Sequence, residues 1–356
     1  MDRADRPGFH SFLRHRMKLL IIVLNYRVTD LTIDCLRSLA PEVKRIPGAA
    51  KVAVVENGTG GDAEQRLRDA IAQNGWDDWA ALTTVFPNRG FTGGNNLVIR
   101  KWLGSPECPE HFLLLNADTV VYPGAIETLV RFMDRHPEVG VAASRCEWAD
   151  GNPQGTPFRF KGIASEFDYG LRLGIVSKLL APWAGKIPQP AQACRVDWVA
   201  FASAIIRREV IEEIGALDEG LYTYFDDIDF CLNATRAGWQ IWHVPESRIL
   251  HYEGQSTGIV VRNIKRRPDY WFQARRRFWL KNYGALYSAL VDAAFLTGFA
   301  LWRLRRWLTR KPDTDPPHML SDAFRNSVFM TGFRLREVEN PALAQAQSLT
   351  RSNVVK

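Results

Sequence analysis

The segment 113-LLLNADTVVYPGA-125 carries a leucine run straight into a polar turn and a Pro-Gly pair. The leucines are typical of a buried strand, and Pro123 suits the first position of a helix, where its missing N–H costs no hydrogen bond. Asp118 stands between these two elements. It either caps the turn or presents a carboxylate at the carboxyl end of a strand.

Outward from this segment, short apolar runs alternate with helical patterns through residue 146. The apolar runs predict strands at 18–24, 51–55, 82–86, 111–115 and 139–143. Helical spacing predicts helices at 30–39, 62–73, 94–103 and 123–135. Such alternation predicts an α/β fold with a mostly parallel sheet flanked by helices. Sheets of this kind bind ligands beyond the carboxyl ends of their strands.

Polar side chains follow each of the first four predicted strands. They are Asn25, Glu56, Arg89 and the pair Asn116 and Asp118. One polar loop is ordinary turn chemistry, whereas four at one edge of a sheet predict a ligand. A nucleotide fits, because Glu56 can accept hydrogen bonds from a base or ribose and Arg89 can bind a base edge or a phosphate. Asp118 can hold Mg²⁺ or Mn²⁺ against a diphosphate.

The second half of the chain has a different pattern. Residues 147–193 are rich in Gly, Pro and aromatic residues and are predicted to form a long, loop-rich insertion. Regular structure is predicted to resume at 196–206, followed by a helix at 207–214. Residues 269–310 have a helical pattern throughout and predict a C-terminal helical extension.

Two groups in this half have side chains suited to chemistry. Asp226 and Asp227 fall in the first turn of a helix predicted to end at Gly238, where negative charge also suits the helix dipole. A carboxylate there acts as a general base if an acceptor hydroxyl lies within hydrogen-bond reach. His251 is either a metal ligand or a hydrogen-bonded structural residue.

The net charge of +7 is concentrated in two basic clusters, within 262–281 and 303–311. Such clusters bind nucleic acid or an anionic membrane surface, or they form a solvated helix face. The apolar segment 285–302 is interrupted by Asp292 and predicts an interfacial or packed helix rather than a bilayer span. The five cysteines lie far apart, without a C-x-x-C pair, which predicts a reducing cytoplasm.

Several blocks of sequence follow one another in a characteristic order. They are IIVLNY, VVENG, PNRGFTGGNN, FLLLNADTVVYPGAIETLV and a long block from WVAFASAII through YFDDIDF to ILHYEGQST. In combination they resemble glycosyltransferase family 2 with a GT-A fold, and most of all its bacterial rhamnosyltransferase-type branch. The resemblance runs from about 18 to 284.

Carried over by position, the resemblance implies donor-site roles. Asn25 would lie in the first donor loop, Glu56 would contact the nucleobase or ribose, and Arg89 would sit in the loop that closes over the nucleotide. Asp118 would bind the divalent metal, Mg²⁺ or Mn²⁺, that bridges the diphosphate. His251 would complete the coordination of that metal.

On the acceptor side, the resemblance implies that Asp227 is the catalytic base, with Asp226 as the alternative. Trp198 would lie near the boundary between donor and acceptor. The chain departs from the family pattern at three places. Glu56 stands where Asp is usual, Asp226 stands where Glu is usual, and Asn116 replaces the first acid of the D-x-D metal motif.

The implied activity is an inverting, metal-dependent transfer of rhamnose or a similar hexose in cell-envelope or exopolysaccharide synthesis. The donor would be a UDP- or dTDP-sugar, and the acceptor a hydroxyl of a glycan or lipid-linked glycan. The enzyme would be cytoplasmic and peripheral at the inner face of the cytoplasmic membrane. Nucleic-acid binding is not expected, because the basic clusters lie outside the ligand edge, and homo-oligomerisation stays open.

Two other functions remain alternatives. A non-catalytic nucleotide-sugar binding protein would bind the donor without turnover. A sugar-phosphate nucleotidyltransferase would normally have a Gly-rich loop with Arg and Lys after the first strand, where this chain has 25-NYRV-28.

The predicted organisation has four parts. A flexible N-terminal extension at 1–16 precedes a catalytic domain at 17–262, whose nucleotide-sugar half ends at about 145 and whose acceptor half follows. A basic and amphipathic helical region at 263–311 and a C-terminal tail at 312–356 complete the chain.

Overall fold

The computed structural model describes residues 17–46, 49–185, 187–255, 265–313 and 315–342, so the extension predicted at 1–16 lies outside it. The strands are β1 (Leu19–Asn25), β2 (Ala50–Asn57), β3 (Ala80–Val85), β4 (His111–Asn116), β5 (Thr119–Val121), β6 (Val139–Glu147), β7 (Pro157–Phe158), β8 (Cys194–Val196), β9 (Trp198–Val199), β10 (Ser203–Arg207) and β11 (Gln240–His251). The α-helices are α1 (Thr29–Val43), α2 (Ala63–Gln73), α3 (Gly90–Leu103), α4 (Ala125–Arg135), α5 (Ile163–Leu171), α6 (Gly174–Leu179), α7 (Arg208–Ile214), α8 (Asp226–Arg236), α9 (Asp269–Thr309), α10 (Met319–Asn326) and α11 (Val328–Thr331).

A central sheet organises these elements. Within the described ranges its nine strands include the path β3-β2-β1-β4-β10-β6-β11-β5, and β8 also pairs with β11. The first four strands along the path are parallel to one another, and β6 is parallel to β11. β10 runs antiparallel to both of its neighbours. The predicted α/β fold with a largely parallel sheet is confirmed, with one antiparallel strand inserted at its centre.

The covering of both sheet faces explains why the first strand is apolar without alternation. Successive side chains of a strand point to opposite faces. Leu20 and Ile22 join the apolar cluster beneath α3, α8 and α9, whereas Leu19, Ile21 and Val23 join the one beneath α1, α2 and α4. Because helices cover both faces, every position of β1 except its polar end favours an apolar residue.

The helix after the opening segment begins later than predicted. Gly124 has a φ of 82°, in the left-handed region, and α4 begins at Ala125. The carboxylate of Glu42 accepts hydrogen bonds from the backbone N–H groups of Gly124 and Ile126 at 2.8 and 3.1 Å. The prediction that Pro123 opens this helix is therefore wrong, because the cap comes from a distant residue on α1.

Residues 147–193 are more regular than predicted, since they contain β7, α5 and α6. The glycines in this region were expected to mark loops. A Cβ on Gly170 of α5 would lie 2.7 Å from the backbone nitrogen of Phe299, so this glycine allows a close crossing with α9. The loop-rich prediction is wrong here because α5 packs against a helix that is remote in the sequence.

A buried ion-pair network joins α5 to α9. The guanidinium group of Arg275 donates to the carboxylate of Glu166 at 2.7 Å and to that of Asp292 at 2.5 Å. Asp292 also accepts a hydrogen bond of 2.8 Å from the N–H of Val328, at the start of α11. Asp292 interrupts the apolar segment 285–302 in the sequence, and in the structure it is buried among these partners.

Several arginines of the basic clusters also form hydrogen bonds within the protein. Arg266 bonds to Asp322, and Arg277 bonds to Asp218. Arg305 donates to two backbone carbonyl oxygens at the end of α5. The clusters are thus partly structural, and they leave less free positive charge at the surface than the sequence suggested.

Among the described helices, α9 is the one that is long and apolar enough to cross a membrane, and 33% of its most apolar window is buried inside the protein. Its direction changes at Gly284, where φ is 78°. Val291, Phe295 and Phe299 are buried on one face, whereas Leu286 is 78% exposed. One face of the segment 285–302 therefore packs within the protein.

We predict that Gly298→Ala weakens the crossing of α5 and α9. A Cβ at this position would clash with the carbonyl oxygen of Phe167 and would lie 3.0 Å from the nitrogen of Leu171. The expected loss in the free energy of unfolding, measured by urea denaturation, is about 1–3 kcal/mol.

Gly174→Ala is the matched control, because a Cβ there meets nothing within 4 Å. This control should leave the free energy of unfolding unchanged or slightly raise it. Equal denaturation midpoints for the two variants would show that the crossing tolerates a wider spacing.

Candidate functional site

A cavity of about 660 Å³ opens at the carboxyl ends of the first parallel strands. Of the side chains that the sequence predicted, six line it: Asn116, Asp118, Trp198, Asp226, Asp227 and His251. Three others lie near the same sheet edge but do not line the cavity: Asn25, Glu56 and Arg89. The structure therefore brings the predicted metal and base residues together around one space.

The turn after β4 is closed by a residue other than Asp118. The hydroxyl of Thr119 donates to the carbonyl oxygen of Asn116 at 2.7 Å and closes the turn. The Asp118 carboxylate does not cap this turn, and it lies 3.4 Å from Nε2 of His251. His251 is brought there by antiparallel pairing of β11 with β5, in which it is opposite Thr119.

Gln154 holds the His251 ring in place, and sequence reasoning missed it. Its Nε2 donates to the His251 carbonyl oxygen at 2.6 Å, so its Oε1 faces Nδ1 of the ring at 2.9 Å and accepts that proton. Nε2 faces the Asp118 carboxylate: a protonated ring donates from Nε2 to it, and a ring that has lost this proton offers the Nε2 lone pair to a metal. No motif marks Gln154, because it lies in the insertion and meets His251 only in the fold.

The electrostatics of this corner favour an ionised carboxylate. Burial acts to raise the pKa of Asp118, but the hydrogen bond and charge of His251 and the backbone N–H of Gln255 outweigh it, so the pKa lies below its ordinary value. A carboxylate oxygen and an imidazole nitrogen then face one space. This pair fits a divalent cation such as Mn²⁺ or Mg²⁺ that takes further ligands from phosphate oxygens.

One other cluster has potential metal ligands among the described residues. Glu110, His111 and Asp134 meet at the opposite, amino end of β4. The ammonium group of Lys18 lies 2.6 Å from both carboxylates and supplies the positive charge there. Burial, the largest cause, lowers the pKa of His111 to about 4, so this ring is neutral at physiological pH. Lys18 thus pairs with both carboxylates, while neither ring nitrogen of His111 has a hydrogen-bond partner among the described residues.

Asn25 and Glu56 form a hydrogen-bonded pair at the ends of β1 and β2, where they lie opposite each other on adjacent strands. Both are buried, and Asn25 Nδ2 donates to the Glu56 carboxylate at 2.5 Å. The hydroxyl of Thr59 donates to the same carboxylate at 2.9 Å. Glu56 thus shapes the loop after β2, and its predicted contact with a base or ribose stays a prediction.

Asn57 organises the next loop and lines the cavity, together with Asn88. Asn57 Nδ2 donates to Asn88 Oδ1 at 3.1 Å and to the Gly90 carbonyl oxygen at 3.0 Å. Its Oδ1 accepts from the backbone N–H of Arg89 at 3.0 Å, while the Arg89 side chain is exposed at the start of α3. The sequence signal for both asparagines was their position directly after a strand.

The glycine-rich segment 90–94 contacts other parts of the protein, and Gly90 also lines the cavity. Gly90 has a φ of 73°, and a Cβ there would clash with Tyr222. A Cβ on Gly94 would lie 3.2 Å from Nδ2 of Asn57 and closer still to Leu24. These glycines therefore let α3 approach β1 and the loop before α8.

The loop before α8 presents the two acids. Tyr222, Tyr224 and Phe225 have backbone φ values of 59°, 68° and 61°, which residues other than glycine rarely adopt. This strained path turns the start of α8 toward the cavity, where Asp226 is buried and Asp227 is half-buried. Strain of this kind is concentrated at functional sites.

Burial shifts the titration of both acids. It raises the pKa of Asp227 to about 6, against the opposing effects of the Ile228 N–H and the Lys161 ammonium group. Burial and the neighbouring charge of Asp227 raise the pKa of Asp226 well above its ordinary value. With a pKa of about 6, Asp227 is ionised at neutral pH and is a stronger base than a solvated carboxylate, whereas the raised pKa of Asp226 favours its neutral form.

Two more side chains border the acids. Trp198 stacks on Phe158, with ring centroids 4.2 Å apart, and its Nε1 donates to the Arg159 carbonyl oxygen at 2.9 Å. Lys161 lines the cavity with its Nζ 4.9 Å from the centroid of the Phe225 ring. Sequence analysis missed Lys161, because its insertion gave no readable pattern.

We predict that Mn²⁺ binding depends on Asp118 and on the hydrogen bond from His251 to Gln154. Electron paramagnetic resonance of free Mn²⁺ should show loss of binding for Asp118→Ala. It should show weakening of roughly 10- to 100-fold for Gln154→Ala, because the imidazole loses its orientation.

Glu110→Gln, in the cluster at the amino end of β4, is the control and should bind Mn²⁺ as the unaltered chain does. A titration in which Glu110→Gln lowers binding while Asp118→Ala does not would move the metal site to that cluster.

Two curated relatives are rhamnosyltransferases. The chain is 23% identical over 165 residues to N-acetylglucosaminyl-diphospho-decaprenol L-rhamnosyltransferase of Mycobacterium tuberculosis (strain CDC 1551 / Oshkosh), covering 44% of this chain and 51% of the relative. It is 24% identical over 167 residues to rhamnosyltransferase WbbL of Escherichia coli (strain K12), covering 46% and 61%. The match thus spans about half the length of the first relative and three-fifths of the second.

The fold has a solved counterpart. The crystal structure of GalNAc-T7 with UDP, GalNAc and Mn²⁺ superposes with a TM-score of 0.56 at 13% sequence identity, covering 89% of this chain and 56% of that one. At this identity the likeness concerns the fold, and it confirms the GT-A architecture implied by the sequence blocks.

The family itself follows from the sequence match. A model of the family described as "Glycosyltransferase like family 2" matches residues 15–269, which include β1 to β11 and every predicted site residue. The resemblance inferred from the blocks is confirmed, and the chain belongs to glycosyltransferase-like family 2.

Proposed function

We propose that this protein is an inverting, metal-dependent glycosyltransferase that moves a hexose from a nucleoside diphosphate sugar to a hydroxyl of a glycan or lipid-linked glycan. The carrying observation is that one cavity holds Asp118 with His251 and also Asp227, whose pKa is raised to about 6. The first set suits a diphosphate with its metal, and the second suits a base for an acceptor hydroxyl.

The names of the relatives support the choice of substrates. Both curated relatives are named as rhamnosyltransferases, and one is named for a diphospho-decaprenol acceptor. We therefore propose rhamnose or a similar hexose, a UDP- or dTDP-linked donor and an acceptor of the cell envelope.

The proposed step is a single displacement at the anomeric carbon. The acceptor oxygen forms a bond to that carbon while the bond from the carbon to the diphosphate oxygen breaks, and the electron pair leaves with the nucleoside diphosphate. Asp227 accepts the acceptor proton, and the configuration inverts because attack comes from the opposite face. When bound, Mg²⁺ or Mn²⁺ at Asp118 and His251 neutralises charge on the leaving diphosphate.

Asp227 is a better base than Asp226 for a physical reason. Asp226 is 6% exposed, and burial together with the adjacent charge of Asp227 raises its pKa well above the ordinary value, which favours its neutral form. Lys161 acts on Asp227 in the opposite direction and favours its ionised form. The non-catalytic alternative gives no role to this division of charge.

We also propose that the protein docks peripherally on an anionic membrane at the cytoplasmic side. The end of α9 carries Leu304, Trp307 and Leu308, whose exposed fractions are 52%, 74% and 65%. Arg310 and Lys311 follow directly and are also exposed. An apolar surface beside cations fits the interface of an anionic bilayer.

We predict that Asp227→Asn lowers kcat by roughly 10²- to 10⁴-fold, because an amide cannot accept the proton. The measurement is sugar transfer, preceded by a screen of UDP-, dTDP- and GDP-sugars with Mn²⁺ for thermal stabilisation. Donor binding should be retained.

Asp226→Asn is the matched control and should keep most of the activity, since the raised pKa of Asp226 favours a neutral side chain, which an amide resembles. In the unaltered enzyme, kcat/KM should fall as the pH drops below about 6, where Asp227 takes up a proton. Full activity of Asp227→Asn would reject its role as base, and binding of a donor without any turnover would favour the non-catalytic alternative.

We predict that the double variant Trp307→Glu and Leu308→Glu loses flotation with anionic liposomes, because charge replaces the apolar contact. Binding by the unaltered chain should fall as salt is raised. Leu286→Glu, about six turns earlier on α9, is the control and should float normally. Equal flotation of all three chains would reject this docking surface.

A further inference from the structure

The chain beyond α11 returns to the cavity, and the predicted division of the sequence gave it no function. Residues 336–342, called here the C-terminal strap, run from the surface of α9 to the loop after β3. Two strap residues, Pro341 and Ala342, line the cavity.

The first half of the strap is fixed to the protein body. The Arg336 carbonyl oxygen accepts from Arg277 Nη1 at 3.0 Å, and the N–H of Val338 donates to the Gly220 carbonyl oxygen at 2.8 Å. Val338 is 7% exposed and belongs to the core cluster on this face of the sheet. Burial of this side chain defines the path of the strap without help from a ligand.

The second half attaches to the loop that follows β3. Asn340 Nδ2 donates to the Asn88 carbonyl oxygen at 2.9 Å, and Asn340 Oδ1 accepts from the N–H of Ala342 at 2.9 Å. Asn340 thus joins the strap to the loop after β3 and closes a turn within the strap. Asn88 is buried and bonded to Asn57, so the strap attaches to an ordered part of the cavity wall.

The strap lies away from the metal corner. Asn57 ends β2 and Asn116 ends β4, and β1 separates the two strands in the sheet. Two strand spacings correspond to about 10 Å. A donor with its diphosphate at Asp118 would reach Pro341 and Ala342 by extending its nucleoside across the ends of β1 and β2, and these two residues line the same cavity as Asp118.

We propose that the C-terminal strap forms a wall of the nucleoside half of the donor site and sets the affinity for the nucleotide. This inference rests on the proposed function. Pro341 and Ala342 present small apolar surfaces that exclude water from one side of a bound base or ribose. Because Val338 and Asn340 hold them in place before binding, contact with the nucleotide costs little ordering of the chain.

The test compares a chain that ends at Leu335 with one that ends at Ala342, which keeps the strap. Calorimetry measures the Kd of UDP, dTDP and GDP, and separately of inorganic pyrophosphate, each with Mn²⁺. Without the strap, the Kd of the preferred nucleoside diphosphate should rise about tenfold. The Kd of pyrophosphate should not change, because it occupies only the metal corner. Asn340→Ala, in the full chain, should raise the nucleotide Kd about threefold.

The outcomes separate this inference from the proposed function. If the full chain binds none of the three nucleotides, both fall. If it binds one and the chain ending at Leu335 binds it equally, the strap is not part of the site. An equal loss for the nucleotide and for pyrophosphate would show a general effect on folding and would also overturn the proposal.

Discussion

The parallel pairing of β1 with β2 and β4 is the constraint on which the site depends. β1 is buried on both faces, so its register cannot slip without moving apolar side chains into the wrong layer. That register sets Asn25 opposite Glu56 and Leu24 opposite Asn116. The polar residues that follow the strands consequently end at one level, and the cavity opens there.

The sequence predicted those features that depend on local pattern. The five strands predicted for the first half are confirmed because apolar runs are written in consecutive residues, whereas the short strand β5 was not predicted. Gln154, Lys161 and the helices of the insertion were missed. Each acquires its meaning from a partner that is distant in the chain, such as His251 for Gln154 and α9 for α5.

Two aspartates that line the cavity, Asp118 and Asp227, have pKa values shifted in opposite directions by their surroundings. Asp118 accepts contacts from His251 and a backbone N–H, which keep its pKa low, whereas burial raises the pKa of Asp227. The family resemblance assigned Asp118 to a metal and Asp227 to a base, but the sequence alone supplied no physical reason for the difference. The difference arises from burial and partners, which exist only in the folded chain.

The buried guanidinium group of Arg275 has a consequence for the unity of the molecule. It joins Glu166 of the insertion to Asp292 of α9, and Asp292 in turn holds the start of α11. These contacts cross the boundaries that the sequence suggested near 262 and 311. The insertion, the long helix and the C-terminal segments should therefore unfold as one cooperative unit.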